Sequence, residues 1–172
     1  MAAPKLSPAE IAKLYERHGA ALAAFACTFV SDFASAEDVV HQLFLKLLRT
    51  EIVMPDTPIA YLYRAVKNNA LNSVRAGSRH TPLDTETPAP IFEHRRGNRE
   101  ASIALQSALS ELPTEQREAV IMRIWSGLTL EEVAAATNVS LNTAASRYRY
   151  ALEKLRDRLQ PYQSISVTKE PR

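Results

Sequence analysis

Apolar residues recur along this chain at i, i+3 and i+4 spacing in separate blocks, and no run alternates long enough to mark a strand. The first block opens at Ser7-Pro8-Ala9-Glu10. Ser as N-cap, Pro at the first helical position and Glu at the third predict a helix start. Ile11, Leu14, Tyr15, His18, Leu22 and Phe25 continue it at core spacing. A break near Ser31-Asp32-Phe33 precedes a second helix, with Ser35 as the expected cap and Asp38 three residues on. Its apolar face is Val39, Val40, Leu43, Phe44, Leu47 and Leu48. Pro55 and Pro58 make residues 51–58 a loop. A third helix is predicted over 59–76, ending near Gly77, with Leu62, Ala65, Val66, Asn69, Ala70 and Val74 inward.

From residue 80 the helical period disappears, and Pro82, Pro88 and Pro90 stand among Thr, Asp and Glu. This reads as a flexible linker over 80–99. The period resumes with Ile103, Leu105, Ala108, Leu109 and Leu112, and Pro113 then starts a helix holding Val120, Ile121, Ile124 and Trp125. The expected fold is all-α: a helical domain over 7–79, a second over 100–160 and a short polar tail, expected to be disordered, over 161–172.

The second domain has the pattern of a helix-turn-helix. Thr129 and Glu132 fit a capping box, followed by Leu130, Val133 and Ala134 at helical spacing. The turn Thr137-Asn138-Val139-Ser140 is very short. Asn138 stands where a left-handed residue is needed, and Ser140 can cap the next helix. In that helix Leu141, Ala144, Tyr148, Leu152, Leu155 and Leu159 form the core stripe. Asn142, Thr143, Ser146 and Tyr150 lie outside it, with Arg147 and Arg149 on its flanks. Short polar donors at a helix N-terminus followed by arginines suit base edges and phosphates in a major groove. The plainer alternative is an amphipathic helix with solvated arginines.

Charge sharpens the picture only locally. Formal net charge is +2, yet no Asp or Glu occurs from Thr57 to Leu83, where Arg64, Lys67, Arg75 and Arg79 are found. Arg64, Asn68, Asn72 and Arg75 share one face of the third helix. They could touch bases and phosphates together, or form an ordinary polar surface. Cys27 is the single cysteine, in an apolar helical stretch, so a buried thiol and a reducing compartment are expected. His18, His41, His80 and His94 have no metal-ligand spacing, and no Gly-rich loop could cradle a phosphate. No catalytic residue, metal or cofactor is expected. No stretch is apolar enough to span a membrane, so a cytoplasmic protein without membrane insertion is expected.

Three stretches, in order, resemble one family. They are Ser35-Ala36-Glu37-Asp38-Val39-Val40-His41-Gln42-Leu43-Phe44-Leu45, then Ala60-Tyr61-Leu62-Tyr63-Arg64-Ala65-Val66-Lys67-Asn68, then Leu112-Pro113 with the helix-turn-helix. Together they are similar to the extracytoplasmic-function (ECF) sigma factors, small members of the sigma-70 superfamily. The resemblance implies a non-catalytic subunit that binds core RNA polymerase and directs initiation at particular promoters. Glu37, Asp38 and Gln42 would contact the clamp helices of the polymerase β′ subunit, and the second domain would meet the β flap. Residues 51–58 would capture a flipped base of the −10 element, at an unstacking cost of a few kcal/mol. Arg64, Lys67, Asn68, Asn72 and Arg75 would lie against −10 DNA. Asn142, Thr143, Ser146, Arg147 and Arg149 would read the −35 element. An anti-sigma factor is a further implied partner. The chain departs from the family pattern at His41-Gln42, where Gln-Glu is usual, and at Tyr61 for Trp. Further departures are Asn72 for Asp, Asn138 for Gly and Ala145 for Lys. A free-standing helix-turn-helix regulator is the rival reading. It leaves the first two stretches unexplained.

Overall fold

The computed structural model describes residues 6–50, 57–77 and 99–166, and every regular element among them is helical. The linker reading lies mostly outside these residues, as does nearly all of the base-capturing loop. The first group is α1 (Pro8–Ala26), α2 (Phe33–Arg49) and α3 (Pro58–Gly77). The second is α4 (Arg99–Ser110), α5 (Thr114–Val120), α6 (Leu130–Thr137) and α7 (Leu141–Ser166), with a π-helical turn at Ile121–Trp125 continuing α5.

The α1 capping box forms as its sequence demands. Glu10 N donates to Ser7 Oγ at 3.3 Å, and Ser7 N donates to Glu10 Oε2 at 2.7 Å. The bonds that Ser7 N and Ser7 Oγ donate to the Glu10 carboxylate hold it below its usual range. The start of α2 corrects the expected cap. Asp32, not Ser35, is the N-cap, and it accepts from Ser35 N at 2.8 Å and Ser35 Oγ at 2.7 Å. A carboxylate three residues ahead of a free N–H out-competes the hydroxyl, and the accepted bonds lower the Asp32 pKa.

In the first group Leu22, Phe25, Val39, Leu43, Leu62, Tyr63 and Val66 are buried together. Phe25 meets Phe29 and Tyr63 edge-on, at centroid distances of 5.3 and 5.0 Å. Three residues expected inside are exposed. Tyr15 lies at the rim, its ring edge-on to Phe44 and its hydroxyl 2.7 Å from His41 Nε2. Leu48 falls in the last turn of α2, and Val74 in the last turns of α3, where every residue from Asn72 onward is exposed. Periodicity marks a face, but a helix end that runs past its neighbours has nothing to bury it.

The second group packs α7 against α4, α5 and α6. Arg117 Nη2 donates to the carbonyls of Ser110 and Leu112, each at 3.0 Å, tying down the turn between α4 and α5. The π turn was not legible in the sequence. Its i→i+5 bonding widens the helix and rotates the residues beyond it, so Ile121 and Met122 are buried while Ile124 is exposed. Ile103 is exposed as well. On α7 Ala144, Ala151 and Leu155 are buried, whereas Leu141, the first residue of the helix, is exposed. The tail expectation also changes: α7 runs through Pro161 to Ser166.

Cys27 caps the end of α1, and burial pushes its thiol up to about 11. A disulfide reagent at pH 8 should therefore modify it on the order of tenfold or more slowly than a free thiol. A rate equal to that of glutathione would place this sulfur in solvent.

Candidate nucleic-acid interface

The helix-turn-helix is built as its capping residues require. Glu132 N donates to Thr129 Oγ1 at 3.1 Å, and Thr129 N donates to Glu132 Oε2 at 2.8 Å. Asn138 ends α6 in the left-handed conformation, with φ 56 and ψ 47. Ser140 Oγ then accepts from Thr143 N at 3.1 Å, opening α7. Ala144 is fully buried where α7 crosses α6, beside a cluster that includes Val133, Ala134 and Ala136. A small residue here lets the two helices approach closely.

This geometry presents the first turns of α7 outward. Asn142, Thr143 and Arg149 are exposed, and Ser146 and Arg147 are half-buried beside them. The Thr143 hydroxyl lies 2.8 Å from Ser140 Oγ, so part of its hydrogen-bonding capacity is already used. The Arg149 guanidinium lies 5.0 Å from the centre of the Tyr150 ring, a cation–π contact that restricts where its charge points.

On α3 the expected face divides. Asn68, Asn72 and Arg75 are exposed together along one side. Arg64 is also exposed, but it donates from Nη2 to the carbonyl of Ala135 on α6. Lys67 turns away from this face. Its Nζ reaches Glu118 Oε1 at 2.7 Å and Oε2 at 3.0 Å, and it lies 5.7 Å from the centre of the Phe29 ring. On α2 Glu37, Asp38 and Gln42 share an exposed face with His41 and the apolar Leu45.

Sequence reasoning missed Glu118. It is the only charged residue among the described ones that is buried, with 0 % exposure. Burial raises its pKa, while the bond and charge of Lys67, and the more distant Arg147, oppose that rise. The available signal was its place three and four residues before the apolar pair Ile121 and Met122, on the side of the helix that they share. Next to it burial lowers the Arg117 pKa, and the Glu118 charge partly restores it. Among the described residues no group of His, Cys, Asp and Glu is arranged to hold a metal ion, and no helix is long and apolar enough to cross a membrane.

Two helical groups, one a helix-turn-helix and the other carrying an exposed asparagine-and-arginine face, define a two-part helical protein with the architecture of a helix-turn-helix class. Comparison with known proteins identifies which. Residues 14–80 match Sigma-70 region 2, and residues 102–155 match Sigma-70, region 4. The chain belongs to the ECF group of the sigma-70 family. It is 30% identical over 141 residues to the ECF RNA polymerase sigma factor SigE of Mycolicibacterium smegmatis, covering 75% of this chain and 53% of that protein. It thus spans about half the length of that relative. It is 26% identical over 147 residues to the RNA polymerase sigma factor SigV of Bacillus subtilis, covering 84% and 83% of the two chains. In fold it is similar to the sigma factor RpoE of Bartonella quintana, solved in complex with the anti-sigma factor NepR. The TM-score is 0.64 at 24% identity, over 87% of this chain and 95% of that one.

Proposed function

We propose that this chain is a promoter-specificity subunit of bacterial RNA polymerase that binds the core enzyme and directs it to promoters by reading −10 and −35 DNA. The observation that supports the reading is the pairing of two helices with exposed polar and basic faces, α3 and α7, on two helical groups in the order of regions 2 and 4. The domain over 7–79 docks on the β′ clamp helices through Glu37, Asp38 and Gln42, whose exposed polar face surrounds Leu45. The same domain lays Arg64, Lys67, Asn68, Asn72 and Arg75 along the −10 element. The domain over 100–160 meets the β flap and reads the −35 element with Asn142, Thr143, Ser146, Arg147 and Arg149. Neither domain needs high affinity alone, because the polymerase holds both and raises their effective concentration. The chain performs no chemistry of its own in this role. It acts in the cytoplasm, where the polymerase is, and is open to control by an anti-sigma factor.

Co-purification with bacterial core polymerase, followed by transcription from a candidate promoter, tests the reading. Stable binding and promoter-specific initiation are expected. DNA binding by the helix-turn-helix without core binding would overturn it in favour of a free-standing regulator. Asn68→Ala and Asn72→Ala should each reduce discrimination between −10 sequences by about ten- to a hundredfold, the loss of one base contact, with core binding intact. An equal loss on all promoters would instead mark these asparagines as structural.

A further inference from the structure

The two helical groups share one core. The apolar cluster that begins with Ile11, Leu22 and Phe25 continues without a break through Val66 and Ala70 into Ile121, Met122, Leu128 and Val133. Three successive contacts from α3 cross the same boundary. The Tyr63 hydroxyl donates to Ser126 Oγ, Arg64 donates to the Ala135 carbonyl, and Lys67 pairs with Glu118. Residues 63, 64 and 67 occupy one turn of α3, and their partners come from α5, the end of the π turn and α6.

We propose that the free chain latches itself shut, with the C-terminal group covering the first half of α3 and engaging Arg64 and Lys67, two of the five residues assigned to −10 DNA. The name of autoinhibition for this contact rests on the function proposed above; the closure itself does not. The −35 face is untouched by it, since Asn142, Thr143 and Arg149 stay exposed, as do Asn68 and Asn72 farther along α3. The closed chain can therefore present its −35 helix but not its full −10 helix, and it must open before the two can act together.

Glu118 is the device. Its side chain is 1% exposed, and that of Lys67 is 31% exposed. A buried carboxylate without a close cation is costly, and the cation hydrogen-bonded to this one comes from the other group. Arg117, its neighbour in sequence, directs its Nη2 to the Ser110 and Leu112 carbonyls rather than to Glu118. A charge also sets the register of the contact, because a shift of either helix would strand Glu118 in an apolar cluster. Because the latch is one ion pair and two hydrogen bonds added to apolar contact, surfaces on the polymerase that compete for both groups would release it.

Small-angle scattering on the full chain in about 0.15 M salt, a physiological ionic strength, tests this. The wild-type chain should be compact. Lys67→Met, a surface change on α3 that leaves Glu118 unpaired, should raise the ratio of open to closed chains about tenfold or more. That is the low end for removing one partner of a buried pair, discounted for the exposure of Lys67. Glu118→Lys should open the chain similarly, and Lys67→Glu with Glu118→Lys together should close it again. Circular dichroism reports whether Glu118→Lys still folds; if it does not, Lys67→Met decides. An extended wild-type chain, or a Lys67→Met chain as compact as wild type, would overturn the latch. Failure to bind core polymerase would sink the proposed function and leave this result standing.

Discussion

Ala144→Asp should abolish −35 recognition and remove much of the helicity of residues 99–166. Ala144 has 0% exposure and is the fourth residue of α7, against the α6 cluster of Val133, Ala134 and Ala136. A carboxylate there enters an apolar crossing that has no room for it and brings no cation with it. Burying an unpaired charge costs several kcal/mol, and whole domains are stable by only about 5–15 kcal/mol. The change should leave most of α1–α3 helical, because Leu22, Phe25, Val39, Leu43 and Leu62 all come from those three helices, and it should loosen only the part of the shared core that Ile121, Met122, Leu128 and Val133 supply. Ala144→Gly gives the scale. It creates no buried charge and should cost about 1 kcal/mol through helix propensity alone. Circular dichroism and binding to a −35 duplex measure both variants. Full helicity and unchanged binding in Ala144→Asp would mean that α7 does not cross α6 at this residue.

Replacing both Arg147 and Arg149 with Ala should weaken binding to −35 DNA by about ten- to a hundredfold at moderate salt, and nearly equally for all sequences. The two arginines flank the polar side of α7 that we assign to bases, Arg149 exposed and Arg147 half-buried. Each phosphate neutralised releases counterions, contributing about 0.9 to the slope of log affinity against log salt on duplex DNA. The double variant should therefore flatten that slope by about two units. Arg147 also acts electrostatically on Glu118, so Arg149→Ala alone gives the cleaner number, a fall of about one unit. A titration of binding across salt concentrations reads all three chains. An unchanged slope with altered sequence preference would move these arginines from phosphates to base edges.

Capping and turn chemistry carried the local structure. Ser7 with Glu10, and Thr129 with Glu132, specify helix starts through bonds within three residues, and both boxes form. Asn138 takes the left-handed conformation its place in the turn requires. The exposed face of Asn68, Asn72 and Arg75 was legible for the same reason, since helical period alone sets which side chains share a side. The errors came where a neighbour decides. Asp32 displaced Ser35 as a cap by offering a stronger acceptor. Leu48 and Val74 fit the apolar period but run past the helices that could cover them. The π turn at Ile121–Trp125 changes the period itself, so Ile124 faces solvent.

By itself the sequence determined an all-helical chain, its helix-turn-helix and the family it belongs to, because each depends on contacts within a few residues or on motif order. Tertiary structure alone decided where Lys67 points. Helical period put it beside the exposed asparagine-and-arginine side, but its charge partner is Glu118, 51 residues away along the chain. A buried carboxylate recruits a cation from whatever surface packs over it, and only packing brings α5 onto α3.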